Sequence, residues 1–135
     1  MSKLYLDSCM IIGLIEGDTR QQQLLKSRLR SHRIFSSELA RLESRILAIR
    51  QNNEVYLKRF DLFFEACEMI EFNQAVFECA TALRVEHNLK TPDSLHLAAE
   101  IQTSCDEFWT NDQRLAKAAT EHLIVVDWAI LENDA

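Results

Sequence analysis

Four carboxylates in this sequence stand where a predicted strand ends or a predicted helix begins. Asp7 follows the apolar stretch KLYL, and Asp112 follows EFWT by two residues. Asp93 lies in the first turn of the helix predicted from TPDSLHLAAEI, and Glu43 lies on the helix predicted from SSELARLESRIL. Several anions packed closely cannot all stay ionised unless something neutralises them. A hard divalent cation such as Mg²⁺ or Mn²⁺ does so through oxygen ligands, so the pattern indicates a carboxylate metal site.

The two aspartates that follow strands also have a structural interpretation. Asp7 could cap the next helix, although Ser8 could do so equally well. After the strand EFWT, Asn111 could cap the helix that follows, beside Asp112. Asp127 ends the apolar run IVV with no long helix after it, and we expect it to be structural. A single junction therefore does not distinguish a cap from a ligand.

The two acidic residues on helices have alternatives of the same kind. Asp93 would complement the dipole of its own helix, and His96 one turn later is more often structural than a ligand. Glu43 could pair with Arg45 or Lys26. The residues one turn before and after Glu43 are apolar: Leu39, Ile46 and Leu47. This spacing predicts that Glu43 faces the protein.

The elements that would bring these residues together alternate along the chain. Short apolar runs predict strands at 3–7, 33–36, 69–72, 106–110 and 124–127. Apolar residues between them recur at helical spacing, Asn73 is a good helix start, and Thr91 precedes Pro92 at a first helical position. Alternating strands and helices predict an α/β fold with a small parallel sheet and helices on both faces. Ligands bind beyond the carboxyl ends of such strands.

Composition excludes several other kinds of protein. The 135 residues predict a single domain spanning 1–135, and an apolar fraction of 47% suits a globular core. Two glycines and one proline leave no room for a Gly-rich phosphate loop, and four scattered cysteines form no zinc motif. No apolar run is long enough to span a membrane, and no signal peptide precedes the first strand. We therefore expect a cytoplasmic protein.

Charge is unevenly distributed along the sequence. The net charge is −6, yet residues 20–50 carry eight basic and two acidic side chains, a balance of +6 that leaves −12 elsewhere. A basic quarter on an acidic body is compatible with binding a phosphate polymer, although a solvated helical face explains it equally well.

Taken together, the motifs resemble those of PIN-domain proteins, most closely the VapC-type toxins of bacterial toxin–antitoxin pairs. The matching stretches are LYLDSCMIIGLI, SSELARLESR, TPDSLHLAAEI and FWTNDQRL, which together span nearly the whole chain. The resemblance assigns the family's acidic quartet to Asp7, Glu43, Asp93 and Asp112. It implies a PIN-like fold and a Mg²⁺- or Mn²⁺-dependent endoribonuclease that leaves a 5′-phosphate and a 3′-hydroxyl.

The same resemblance implies roles for individual residues. Asp7, Asp93 and Asp112 are expected to bind metal directly. Glu43 would bind it directly, bind it through water, or orient the nucleophile. Ser8 and Thr110 are expected to support the carboxylates from outside the metal's ligand shell.

Partners follow from the resemblance as well. Relatives of this kind dimerise, and a small antitoxin inhibits them by placing an amphipathic segment in a groove. The aromatic face of Phe60, Phe63 and Phe64, within residues 37–68, is either core or part of such a groove. We therefore expect an RNA substrate, a homodimer and a cognate antitoxin. The alternatives are a catalytically silent interaction module with the same fold, or a phosphohydrolase that acts on small phosphate esters.

Overall fold

The computed structural model describes residues 1–133, in which five strands alternate with helices. The strands are β1 (Ser2–Leu6), β2 (His32–Ser37), β3 (Glu68–Ile70), β4 (Glu107–Trp109) and β5 (Ile124–Val126). The helices are α1 (Ser8–Glu16), α2 (Thr19–Leu29), α3 (Glu38–Arg50), α4 (Glu54–Ala66), α5 (Gln74–His87), α6 (Thr91–Thr103), α7 (Gln113–Ala119) and α8 (Trp128–Asn133). All five predicted strands are confirmed, with ends that differ by at most two residues. No helix among these is both long and apolar enough to cross a bilayer.

The sheet is parallel throughout, with strand order β3-β2-β1-β4-β5. From the central strand β1 the chain builds outward through β2 and β3, and it then crosses to the other side for β4 and β5. The direction of winding therefore reverses between β1 and β4. The Asp7 amide donates to the Trp109 carbonyl at 3.1 Å, which holds these two strands together at their carboxyl ends.

Alternation along β1 builds a core on each face of the sheet, as the predicted α/β architecture requires. Leu4 and Leu6 are fully buried against α1, α2, α3 and α4. Tyr5, between them, points to the other face, where α5, α6 and α7 cover it. Because successive strand residues point in opposite directions, one short strand contributes to both cores.

Helix α3 packs through small residues instead of its large ones. Ala40, Ser44 and Ala48 recur every four residues and are buried. Leu42 and Ile49 remain 56% and 50% exposed on the opposite side of the helix. Small side chains let the helix approach its neighbours closely, and this leaves an apolar stripe in solvent.

The aromatic face of α4 is mainly core. Phe60 and Phe64 are 0% and 4% exposed, so the core interpretation holds for both residues. Phe63 is only partly buried and meets Phe64 edge to face at a centroid distance of 5.2 Å. Phe63 alone of the three therefore remains available at a surface groove.

Two predicted helix starts have different outcomes. Asn73 caps α5 by accepting from the Val76 amide at 3.1 Å, as expected. Thr91 begins α6 with Pro92 in its first turn, but the N-cap position is Lys90, whose side chain makes no capping hydrogen bond. The fixed φ of proline supports this helix start without a side-chain cap.

Glu100 on α6 is a carboxyl group inside the apolar core. Its side chain is fully buried, and neither carboxyl oxygen has a hydrogen-bond partner among residues 1–133. Burial, followed by the charge of Asp7, raises the pKa of Glu100 well above its ordinary value of 4.5. A carboxyl group in this position is held neutral, because ionising it without a partner is costly.

Glu100→Gln should therefore stabilise the protein increasingly as pH rises. Above pH 4.5 the unfolded chain releases this proton while the folded chain keeps it, so wild-type stability falls up to the raised folded pKa. The slope attributable to this group is at most about 1.4 kcal/mol per pH unit. Denaturant unfolding of both proteins from pH 4 to 8 measures the difference. Glu78→Gln on the exposed side of α5 is the matched control. A difference between Glu100→Gln and wild type that does not change with pH would contradict the assignment.

Candidate functional site

The predicted site residues lie along the carboxyl edge of the sheet. Asp7 directly follows β1, Asp112 follows β4, and Asp93 is in the first turn of α6. Glu43 lies in the second turn of α3, which follows β2. The gap between β1 and β4 is where the strand order reverses, and parallel α/β proteins bind ligands at this position.

Asp7 is both the N-cap of α1 and the bridge to the neighbouring strand. Its Oδ1 accepts from the Cys9 amide at 2.9 Å, the Met10 amide at 3.2 Å and the Cys9 thiol at 2.7 Å. Its Oδ2 accepts a short hydrogen bond from Thr110 Oγ1. Burial, followed by the charge of Asp7, raises the pKa of Cys9 to about 12, so the thiol keeps its proton and donates. These donors fix the carboxylate in one orientation.

Thr110 connects the two aspartates. While its hydroxyl donates to Asp7, the same oxygen accepts from the Asp112 amide at 3.1 Å. Ser8 makes no hydrogen bond to these carboxylates in the part of the chain that the structure describes. The two supporting residues are therefore not equivalent, since Thr110 alone touches both strand-end aspartates.

Asp112 caps α7 with one of its carboxylate oxygens. Its Oδ1 accepts from the Arg114 amide at 3.0 Å and the Leu115 amide at 3.1 Å. The suggestion that Asn111 caps this helix is therefore wrong, as is the suggestion that Ser8 caps α1. The side chain of Asp112 is exposed, and among residues 1–133 its Oδ2 accepts no hydrogen bond. That oxygen is available to a cation.

Asp93 is half-buried and is influenced by its acidic neighbours. Burial raises its pKa above the ordinary 3.8, and the charges of Asp112 and Glu43 raise it further. His96 and Lys90 act in the opposite direction and lower this pKa. Asp112 and Glu43 are therefore both within electrostatic reach of Asp93, and a cation bound beside Asp93 would relieve this repulsion.

Glu43 is held by a buried chain of hydrogen bonds. His96 Nε2 lies 2.6 Å from Glu43 Oε1, and His96 Nδ1 lies 2.6 Å from the Tyr5 hydroxyl. The Tyr5 hydroxyl in turn lies 2.8 Å from Ser37 Oγ. Because a carboxylate only accepts, His96 Nε2 donates to Glu43, and in the neutral tautomer that does so Nδ1 accepts from the Tyr5 hydroxyl. Burial raises the pKa of Tyr5 well above 10, so the phenol keeps the proton that it donates.

These hydrogen bonds correct the predicted partner of Glu43 and the reason predicted for its orientation. Its partner is His96, whereas Arg45 donates from Nε to the Arg41 carbonyl at 3.1 Å. Its apolar neighbours do not turn it inward, because Ile46 and Leu47 are themselves 40% and 51% exposed. The spacing of His96, three residues after Asp93, is the signal that could have identified His96 as a contact for the acidic edge.

The donor set suits a hard divalent cation held partly through water. Asp93, Asp112 and Glu43 lie near this edge, and in the described part of the chain protein donors use only one carboxylate oxygen of Glu43 and one of Asp112. Among residues 1–133, no three of the four carboxylates bring their oxygens within 4.8 Å of one another. Mg²⁺ commonly keeps several waters and is bound by only one or two carboxylates, so this open spacing fits it.

Comparison with known proteins identifies the fold family. The model of the PIN domain family matches residues 4–121. No curated protein matches the sequence.

Solved structures share the fold at low sequence identity. The DNA-bound VapBC of Salmonella typhimurium aligns with a TM-score of 0.76 at 16% identity, covering 95% of this chain and 99% of that one. VapBC2 of Rickettsia felis, bound to a promoter DNA fragment, aligns with a TM-score of 0.73 at 18% identity. The alignment covers 93% of this chain and 98% of that one. A toxin–antitoxin complex of Klebsiella pneumoniae aligns with a TM-score of 0.68 at 23% identity. The alignment covers 81% of this chain and 86% of that one. With the family match over most of its length, this chain belongs to the PIN domain family.

Proposed function

We propose that this protein is a divalent-metal-dependent endoribonuclease, the toxin of a type II toxin–antitoxin pair. The observation that carries the proposal is the row of carboxylates at the β1–β4 reversal, where Asp7 and Asp112 are joined through Thr110. Structural relatives named as toxin–antitoxin complexes support the biological context.

Asp7, Asp93 and Asp112 would hold the metal, and Glu43 would hold it or orient the water. When bound, Mg²⁺ or Mn²⁺ supplies a Lewis acid for the scissile phosphate and a more acidic water. Asp7 contributes a carboxylate of fixed orientation, since four donors from Cys9, Met10 and Thr110 hold its two oxygens. His96 keeps Glu43 aimed at the acidic edge through the chain that ends at Ser37.

The substrate we propose is RNA, which the basic segment 20–50 favours over a small ester. Part of that segment is used internally, because Arg33 pairs with Glu68 at 2.6 Å and Arg41 lies near Glu38 and Asp61. The other basic residues of the segment lie mainly on two helices: Arg20, Lys26 and Arg28 on α2, and Arg45 and Arg50 on α3. Spread positive charge favours a polymer of phosphates, and cleavage would leave a 5′-phosphate and a 3′-hydroxyl.

Asp7→Asn should lower RNA cleavage by about 100-fold or more, because it removes a metal-ligand charge worth several kcal/mol in the transition state. The fold should survive, since asparagine still offers an acceptor to the Cys9 and Met10 amides. Cleavage of an RNA panel with Mg²⁺, Mn²⁺ or EDTA, alongside thermal melts, measures both properties.

Asp18→Asn is the matched control, because Asp18 also caps a helix, accepting from the Gln21 amide at 2.8 Å at the start of α2. It should leave cleavage intact. Wild-type activity in Asp7→Asn would refute the site assignment. Hydrolysis of p-nitrophenyl phosphate without RNA cleavage would favour the phosphohydrolase alternative, and neither activity in wild type would favour the silent module.

His96→Ala should reduce the cleavage rate by about 10–100-fold, the usual effect of losing a group that orients a metal ligand. The loss should appear in kcat with little change in KM, because His96 lies behind Glu43 and away from solvent. His96→Gln can still donate to Glu43 and should recover part of the rate. Steady-state cleavage of a short RNA measures the split.

His32 provides the matched control for His96. Its Nε2 lies 2.6 Å from Glu107 Oε2, the same distance as in the His96–Glu43 pair, but at the amino ends of β2 and β4. His32→Ala should lower thermal stability without changing kcat. Equal losses of kcat in His32→Ala and His96→Ala would show that His96 acts only through stability.

A groove between α1, α2 and α4 is the surface that we propose for the antitoxin. The cleft has a volume of about 750 Å³. Its apolar lining is Leu14, Ile15, Leu29, Ile34, Leu62 and Phe63. Lys26, Arg30 and Arg59 also line it, so the occupant would be an amphipathic segment with acidic residues beside an apolar face. A basic side chain further along that segment would suit the acidic edge.

The exposed stripe on α3 is the surface that we propose for the homodimer. Leu42, Ile46 and Ile49 are 56%, 40% and 50% exposed and recur at helical spacing. An exposed apolar stripe of this kind on a folded domain favours association with a second copy of the same chain.

Reciprocal substitutions separate the two partner surfaces. Ile46→Asp should give a monomer in light scattering but retain antitoxin binding, because the groove is formed by other helices. Leu62→Asp should abolish antitoxin binding in co-expression with the neighbouring reading frame, yet remain dimeric. Val85→Asp, at a residue 85% exposed on α5, is the control for both measurements. A monomeric wild type, or an antitoxin complex that Leu62→Asp leaves intact, would remove the corresponding half of the proposal.

A further inference from the structure

A second group of metal-binding side chains lies away from the acidic edge. His87 is the last residue of α5, and Glu121 and His122 lie in the turn between α7 and β5. One ligand atom from each of these three residues lies within 4.8 Å of the other two, an arrangement that no other group of three in residues 1–133 attains.

His87 is aimed into this group. Its side chain is 14% exposed, and its Nε2 is buried without a hydrogen-bond partner among the described residues. That nitrogen lies 3.5 Å from Glu121 Oε2 and 3.8 Å from Glu86 Oε2. Both distances are too long for a good hydrogen bond. A buried ring nitrogen beside carboxylate oxygens with no hydrogen bond between them is placed as a metal ligand would be.

The spacing of these atoms suits a tetrahedral metal. Zinc bonds of about 2.0–2.2 Å to nitrogen and oxygen place neighbouring ligand atoms roughly 3.3–3.5 Å apart. The His87–Glu121 pair already has this separation. The remaining pairs lie within 4.8 Å and need to close by at most about 1.5 Å, which the exposed side chains of Glu121 and His122 can supply by rotation.

The backbone that carries the three ligands is well anchored. The His122 amide donates to the Ala119 carbonyl at 2.9 Å, which fixes the turn after α7. The Asn88 amide donates to the Arg84 carbonyl at 3.0 Å, and Asn88 takes the left-handed conformation that ends α5. Metal binding would therefore order side chains only.

The surroundings determine which class of metal fits. The adjoining cleft of about 420 Å³ is also lined by Arg114 and Lys117, whose positive charges disfavour a cation bound by charge alone. Two imidazoles and one carboxylate favour Zn²⁺ and similar transition metals over Mg²⁺. We propose that His87, Glu121 and His122 form a binding site for a transition-metal dication such as Zn²⁺, linking the end of α5 to the α7–β5 turn.

Zn²⁺ titration of the full chain, without an affinity tag and stripped of metal, tests this site. We expect one Zn²⁺ bound and a higher melting temperature, because a ligand that binds only the folded chain stabilises it. His122→Ala and Glu121→Gln should each weaken binding by at least about tenfold. His32→Ala, a histidine outside the group, should leave the affinity unchanged.

The histidine side chains report where the metal binds, independently of nuclease activity. In ¹H–¹³C spectra assigned with the single variants, Zn²⁺ should shift the ring signals of His87 and His122 and leave those of His32 and His96 in place. Shifts confined to His96 would locate the metal at the acidic edge and overturn the proposal. Absence of saturable binding, or unchanged affinity in His122→Ala, would also overturn it.

Discussion

The hydrogen bond between Thr110 and Asp7 is the interaction on which the candidate site depends. It joins the ends of β1 and β4 at the place where the sheet reverses its winding, and the same threonine oxygen positions the Asp112 amide. Parallel α/β proteins bind ligands beyond the carboxyl ends of the strands at such a reversal. Thr110 keeps two aspartates together at this position, and each is also oriented by capping a helix. Capping and metal binding are therefore compatible roles, because a carboxylate has two oxygens.

Gathering anions at one edge has an electrostatic cost that recurs elsewhere in the structure. Burial and acidic neighbours raise the pKa of Asp93, and the charge of Asp7 contributes to the raised pKa of Glu100 deeper in the core. The chain stabilises one member of the set, Glu43, with a directed hydrogen bond from His96 instead of a cationic side chain. This hydrogen bond engages Oε1 of Glu43, so the other carboxylate oxygen stays available to a cation.

The sequence was sufficient for the fold class and for the edge where the carboxylates lie. Strand ends are visible in short apolar runs, and parallel pairing brings them to one side. The sequence was not sufficient to predict which side chains contact one another when packing brings distant segments together. The chain from Ser37 through Tyr5 to His96 joins β2, β1 and α6, which are far apart in sequence. Likewise, periodicity identified α3 as a helix but not which face is buried, because small residues made the closer contact. Phe60 and Phe64 could not be separated from Phe63 until α4 was placed.

Paramagnetic broadening by Mn²⁺ tests whether the β1–β4 reversal is a metal site. In ¹H–¹⁵N spectra of the full chain, substoichiometric Mn²⁺ should first broaden the amide signals of Ser8, Cys9, Asn111 and Asp112, and excess Mg²⁺ should restore them. These amides flank the two aspartates joined through Thr110. Broadening that is spread evenly over the acidic surface, or that leaves these four amide signals sharp, would show that this edge is not a metal site.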